Sequence, residues 1–136
     1  MSVDGFVTSE SPLSPKDTMD RVEAEVVARG MTVFARVDHS AGAAAVGLPL
    51  RPTEVLVFGN ARGGTPLMQA VQTIGIDLPL KFLVWQEADG RTQLAYNDPQ
   101  WLAERHGLGS RAETATKAMQ AALGAIAQAV TSPGGP

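Results

Sequence analysis

The spacing of apolar positions changes several times along this chain, and each change marks an element. Residues Val3 to Ser9 suggest a first strand of poor alternation. After Ser11-Pro12-Leu13 the spacing becomes helical: Met19, Val22, Val26 and Val27 form one stripe, with Asp20, Arg21, Glu23, Glu25 and Arg29 turned to water. Ser14 is placed to cap this helix, Pro15 fits its first position, Asp17 sits near the positive helix end, and Gly30 stops it. Met31, Val33, Ala35 and Val37 then alternate with Thr32, Phe34 and Arg36, which predicts a strand with one small apolar face, ended by Asp38-His39. The Ala-rich stretch from Ser40 to Val46, closed by Gly47, reads as a short helix or turn. Pro49 and Pro52 keep the following segment extended.

Glu54-Val55-Leu56-Val57-Phe58 is apolar at every position after the acid, which predicts a central strand covered on both faces and ending at Gly59-Asn60. Thr65 and Pro66 supply a cap and a first residue for a helix carrying Leu67, Met68, Val71 and Ile74, with Gly75 as its terminator. Lys81 to Ala88 and Arg91 to Asn97 flank Asp89-Gly90, a strong hairpin signal. A two-residue turn there sets Trp85 opposite Leu94 and Leu83 opposite Tyr96, all on one face. Asp98 and Pro99 start a short helix with Trp101 and Leu102 that Gly107 ends. A last helix is expected from Ser110, with Glu113 completing a capping box and Ala115, Met119, Ala122, Leu123 and Ile126 as the buried stripe.

Strict strand-helix alternation fails at the hairpin. The order therefore predicts an α+β fold: a mainly antiparallel sheet with helices packed on one face, including a long C-terminal helix. Residues 1–131 read as a single domain and residues 132–136 as a disordered tail.

Composition narrows the chemistry. The 136 residues suffice for one core without staples, and the lack of cysteine excludes disulfides, thiolate nucleophiles, zinc-cysteine sites and iron-sulfur clusters. A net charge of -3 gives no attraction toward phosphate backbones or anionic lipid, so neither nucleic acid nor membrane is an expected partner. The opening residues carry no basic region followed by an apolar run, and no stretch approaches the roughly 20 apolar residues that span a bilayer. A cytoplasmic location and no cofactor are the expectation.

Four groups of residues are candidates for chemistry. Asp38 and His39 follow a strand end, where a carboxylate can orient an imidazole as a general base. The plainer account makes Asp38 the cap of the next helix and His39 a surface residue. His39, Glu54 and His106 are the available metal ligands, but two histidines so far apart lack ligand spacing, and no metal is expected. The loop from Gly59 to Pro66 joins the most apolar strand to a helix N-terminus, where unpaired amides and Arg62 favour an anion. It lacks a phosphate-loop lysine and dinucleotide-fingerprint spacing, so its glycines also read as plain turn residues. Arg51 and Glu54 precede the central strand and either pair with each other or line a groove. Without a basic stripe, Trp85, Tyr96 and Trp101 read as core or subunit-interface anchors.

The runs Gly30 to His39, Gly47 to Glu54, Phe58-Gly59-Asn60, Gly64 to Met68, Asp77 to Leu80 and Tyr96 to Pro99 closely resemble the prokaryotic family catalogued as domain of unknown function 302, over residues 14 to 108. The resemblance implies a TATA-binding-protein-like fold, a curved antiparallel sheet against a long C-terminal helix. It does not imply DNA binding, because fold alone carries no function. The family has no established activity, so no catalytic roles come with it.

The leading expectation is a ligand-binding or accessory domain acting as a homodimer. Its polar pocket would lie near Asp38, His39, Arg51, Glu54, Asn60 and Thr65, with Arg62 and Gly64 helping to hold a small anionic ligand. One alternative is a hydrolase-like enzyme with His39 as general base, Asp38 orienting it, and the Gly63-Gly64-Thr65 amides stabilising an oxyanion. The other is a structural assembly module.

Overall fold

The computed structural model describes residues 3–132. Its elements are β1 (Phe6–Ser11), α1 (Pro15–Ala28), β2 (Thr32–Asp38), α2 (His39–Ala45), β3 (Thr53–Gly59), α3 (Ala61–Ala70), a 3-10 turn (Gln72–Asp77), β4 (Leu80–Gln86), β5 (Thr92–Asn97), α4 (Pro99–Arg105) and α5 (Glu113–Thr131). The strands form one sheet in the order β1-β5-β4-β3-β2, and every neighbouring pair is antiparallel. Consecutive strands β1 and β2 thus lie on opposite edges, and α1 crosses the sheet between them.

One face of the sheet carries Leu56 and Phe58, Leu80, Phe82 and Val84, and Leu94, all buried. They pack against Met19, Val22 and Val26 of α1 and Leu123, Ile126 and Val130 of α5. Phe58 stacks on Phe82 at 5.4 Å, and Tyr96 meets Phe82 edge-on at 5.5 Å. This is the α+β arrangement that the patterning predicts. The opposite face keeps Val55, Val57, Leu83 and Trp85 only half-buried. The expectation that β3 is covered on both faces is therefore wrong, because a run of β-branched and aromatic residues also suits a strand with one open face.

Helix α1 begins as expected, with Ser14 Oγ accepting from the Asp17 amide at 3.1 Å and Pro15 in the first turn. Two of its side chains depart from the stripe. Val27 is exposed, while Arg21 turns inward and donates to the carbonyls of Ala129 (2.7 Å) and Val130 (3.2 Å). Those carbonyls belong to the last turn of α5, where a cation satisfies orphan acceptors and the helix dipole. Near the start of α1 the Ser11 and Thr18 hydroxyls, both buried, share a 2.7 Å hydrogen bond.

Strand β2 differs from its alternating pattern. Its register against β3 shifts between Val33 and Ala35, so Phe34 is an extra residue. A bulge exchanges the two faces beyond it. Val33 and Arg36 lie opposite the inward residues Phe58 and Leu56, whereas Val37 is exposed. Arg36 thereby reaches Glu54 through Nε (2.8 Å) and a second nitrogen (3.1 Å), and α1 through Glu23 (3.0 Å) and Asp20 (2.9 Å).

The hairpin is present, but its register is not the expected one. Val84 lies opposite Leu94 and Phe82 opposite Tyr96, so Trp85 and Leu94 are on opposite faces. The loop is longer than a two-residue turn. The Gly90 amide donates to Glu87 O at 2.9 Å, the Glu87 amide to Arg91 O at 2.8 Å, and Gly90 has φ +90°. This is the three-residue loop in which a turn is followed by a left-handed glycine. Asp89-Gly90 occupies its second and third positions, which displaces each pair by one residue.

Both helix starts taken from Thr65 and Ser110 are also displaced. Helix α3 starts at Ala61 under an Asn60 cap, so Thr65 and Pro66 lie inside it, and it ends at Ala70 before the 3-10 turn that contains Gly75. Helix α5 starts at Glu113 after Ala112 at φ +56°, with no side-chain cap from Ser110. Ala112 tolerates that backbone because Arg111 ties the preceding loop to Ala70, Gly107 and Leu108 carbonyls. Ser132 still bonds to Gln128 O through its amide and hydroxyl, and the remainder of the expected tail, residues 133–136, lies outside the described residues.

Replacing Arg36 by Met keeps the aliphatic stem but leaves three carboxylates facing each other, Glu54 being the most buried. We expect a loss of roughly 1–3 kcal/mol in urea unfolding, the cost of an unsatisfied partly buried charge. Lys should restore only part of it, since the two-pronged contact to Glu54 is lost. An unchanged midpoint in the Met variant would show that the cluster contributes nothing to stability.

Candidate functional site

The β2-β3 ladder separates the expected polar pocket into two ends. Asp38 pairs with Glu54 at one end and Thr32 with Gly59 at the other. At roughly 3.4 Å per residue these ends are about 17 Å apart. Asp38, His39, Arg51 and Glu54 are therefore not brought together with Asn60 and Thr65. For Arg51 and Glu54 the separation follows from the predicted strand itself, which they precede or start and Asn60 ends; for Asp38 and His39 it depends on strand pairing, which periodicity does not give.

At the Asp38 end the charged groups Asp38, Arg51 and Glu54 already have structural partners. Asp38 caps α2, its carboxylate accepting from the Ser40 hydroxyl (2.6 Å) and the Ala41 amide (2.9 Å). These two donors, the hydroxyl first, hold its carboxyl below the usual carboxylate range. The carboxylate is thus engaged in capping, and His39 is exposed. Glu54 pairs with Arg36 rather than with Arg51, whose Nε donates to Gln86 O at 2.9 Å. Arg51 also lines a second concave surface with Ser40, Ala44, Leu48, Pro49 and Leu50.

His106, the third residue weighed as a metal ligand, sits elsewhere. Its Nε2 is 2.6 Å from Asp77 and its Nδ1 3.1 Å from the Thr73 hydroxyl, while Arg105 also pairs with Asp77 at 2.8 Å. Hydroxyl, imidazole and carboxylate in this order form the catalytic triad of some hydrolases. Here Thr73 is exposed on the 3-10 turn and lines neither concave surface. The contacts fasten the turn to α4. Among the described residues no group of three or more His, Asp or Glu side chains is gathered as a metal would require.

The Gly59 end opens into a cavity of about 530 Å³. Gly59, Asn60, Ala61, Arg62, Gly63 and Gly64 form one wall; Met68, Gly75, Leu78, Pro79 and Leu80 form a second. Ala115, Ala118, Met119 and Ala122 of α5 close the third side, and Met31 and the bulged Phe34 stand at the β2 side. Of the expected ligand-binding residues, Asn60, Arg62 and Gly64 line this cavity, while Arg51, Glu54 and Thr65 do not. The cavity is apolar where the expectation was a polar pocket.

Local chemistry explains its form. Asn60 Oδ1 accepts from the Gly63 amide at 2.6 Å, and the Gly64 amide donates to Asn60 O at 3.1 Å. Those amides are committed to starting α3, so they are not an oxyanion hole. A Cβ at Gly63 would fall 3.1 Å from Asn60 Oδ1, so a larger residue there would require the capping side chain to give by a few tenths of an ångström, while its 3.6 Å approach to Met119 Cε is an ordinary contact. Alanines at 115, 118 and 122 recur at helical spacing on one side of α5 and leave room where larger residues would fill it. Ala115 and Ala122 belong to the predicted buried stripe of α5. Their small size beside Met119 was the signal for a cavity flank.

The family model described as domain of unknown function DUF302 matches residues 7–126. A protein of Brucella suis biovar 1 (strain 1330) named fluoride-specific ion channel FluC 1 is 49% identical over 122 residues, covering 90% of this chain and 48% of that protein. One of the same name from Brucella abortus biovar 1 (strain 9-941) is also 49% identical over 122 residues, with 45% of its length covered. The chain thus spans less than half the length of these relatives. The crystal structure of an uncharacterized conserved DUF302 protein from Bacillus stearothermophilus superposes with a TM-score of 0.79 at 19% identity, covering 93% of this chain and 98% of that one. That likeness is one of fold.

Asn60→Ala should destabilise the protein by about 1 kcal/mol, the usual cost of losing an N-cap. Thr65→Ala, inside α3 and exposed, should change it by less than about 0.5 kcal/mol. Urea midpoints of the two variants decide which residue starts the helix; a larger loss from Thr65 would contradict the cap seen here.

Proposed function

The chain belongs to the DUF302 family, and we propose that within it this domain is a binding or accessory module whose ligand is a small, largely apolar molecule held between α3, β4 and α5. The cavity of about 530 Å³ carries the reading. Its size falls within the roughly 300–1,000 Å³ of small-molecule sites, and its walls are apolar with a few polar groups at one side, as such sites are. Met31, Met68 and Met119 contribute flexible, polarisable side chains that adapt to a guest.

The longer relatives support the accessory part of this reading. No described helix of this chain is long and apolar enough to cross a membrane, while the relatives named as fluoride-specific channels have more than half their length outside the match. We read the channel function as residing in that other part, with the matched domain serving it as an attached accessory.

A homodimer is the companion reading. Val46, Leu48 and Leu50 lie on the connection from α2 to β3 and are 72%, 63% and 49% exposed. Contiguous exposed apolar residues favour association. Light scattering at micromolar concentration should give twice the chain mass, and a Leu48→Glu variant should run as a monomer. A wild-type monomer would rule this arrangement out.

Ala118 is exposed and lines the cavity, so tryptophan there should occupy it without entering the core. In a thermal-shift screen of small apolar compounds, ligands should raise the melting temperature of the wild type by mass action. The same compounds should have no effect on Ala118→Trp, whose unliganded melting temperature stays close to wild type. Absence of any shift across the screen, or shifts that persist in the variant, would defeat the cavity as the binding site.

A further inference from the structure

We propose that the cavity takes an amphiphile with a single acidic headgroup, its head paired with Arg62 and its apolar body lying against α5. This rests on the cavity being a ligand site. The observation that selects an acidic head is the state of the arginines. Seven of the eight have partners. Arg29, Arg36, Arg91 and Arg105 pair with carboxylates, while Arg21, Arg51 and Arg111 donate to main-chain carbonyls. Arg62 engages neither among the described residues, and it is the charged residue in the cavity wall. A guanidinium with all its donors free beside an apolar cavity matches an oxyanion at the end of an apolar chain.

The rest of the site fits the same ligand. Ala115, Ala118 and Ala122 let a chain approach the α5 backbone closely, and Met68 and Met119 can close over it. Apolar burial supplies the affinity. The net charge of -3 gives a bare anion no general attraction. The Gly63 amide is already given to Asn60 Oδ1, so discrimination between heads falls to the Arg62 side chain rather than to the start of α3.

Decanoate and decyltrimethylammonium below their micellar concentrations, and decanol below its solubility limit, separate head from tail by titration calorimetry at low salt. Wild type should bind decanoate about tenfold more tightly than decanol, the factor set by one charge-assisted hydrogen-bonded pair. The ammonium should bind most weakly. Arg62→Gln should bring decanoate to the level of decanol, and Ala118→Trp should abolish binding of both. Equal affinities in wild type, or a decanoate preference that survives Arg62→Gln, would overturn the acidic head and leave the cavity reading intact. Failure of all three chains, with cavity-dependent shifts still seen in the compound screen, would overturn the amphiphile alone. No shift in that screen either would remove both.

Discussion

The fold depends on one topological constraint: consecutive strands β1 and β2 occupy opposite edges of the sheet. Their connection must cross the sheet, and α1 is that connection. A crossing helix can be held only if its apolar stripe meets the sheet along its length, and Met19, Val22 and Val26 do so with no exposure. Its first turn and its middle are then pinned by polar contacts. Thr18 bonds to Ser11 near the start, and Asp20 and Glu23 meet Arg36 of the far edge strand. Arg21 extends the same logic to α5, joining the last carbonyls of that helix to the crossing one.

The cavity follows from this arrangement. Helices α1 and α5 share one face of the sheet, and α5 runs past the place where β3 gives way to α3. There the chain offers glycines at 63 and 64, and α5 offers alanines at 115, 118 and 122. Small residues on both sides of a helix-helix approach can either bring the backbones together or leave space. Here the Asn60 cap fixes the start of α3 and space remains.

Much of this architecture was legible in the sequence, where local rules agree with the global fold. The caps at Ser14, Asp38 and Asp98 are where the residue types place them. The antiparallel sheet with helices on one face follows from element order. What the sequence concealed depends on single-residue differences in register. The hairpin closes at Glu87 and Arg91, and β2 carries one extra residue at Phe34; each moves side chains to the other face. The partner of Glu54 was misread for that reason, since Arg36 turns inward only beyond the bulge. Of the candidate site, Asn60, Arg62 and Gly64 were named, but the alanine and methionine walls read as ordinary core. Arg51 precedes β3 and Asn60 follows it, so that separation was legible; that Asp38 and His39 join the Arg51 end depends on the β2-β3 pairing, which residue type does not encode.

The bulge at Phe34 also governs how the sheet ends. An open strand edge presents unpaired amides and carbonyls that invite another chain to continue the sheet, and this is a route to aggregation. Strand β2 interrupts that template twice, with an irregular ladder at Phe34 and a charge turned inward at Arg36. Both devices discourage edge-to-edge growth where copies of this chain crowd together.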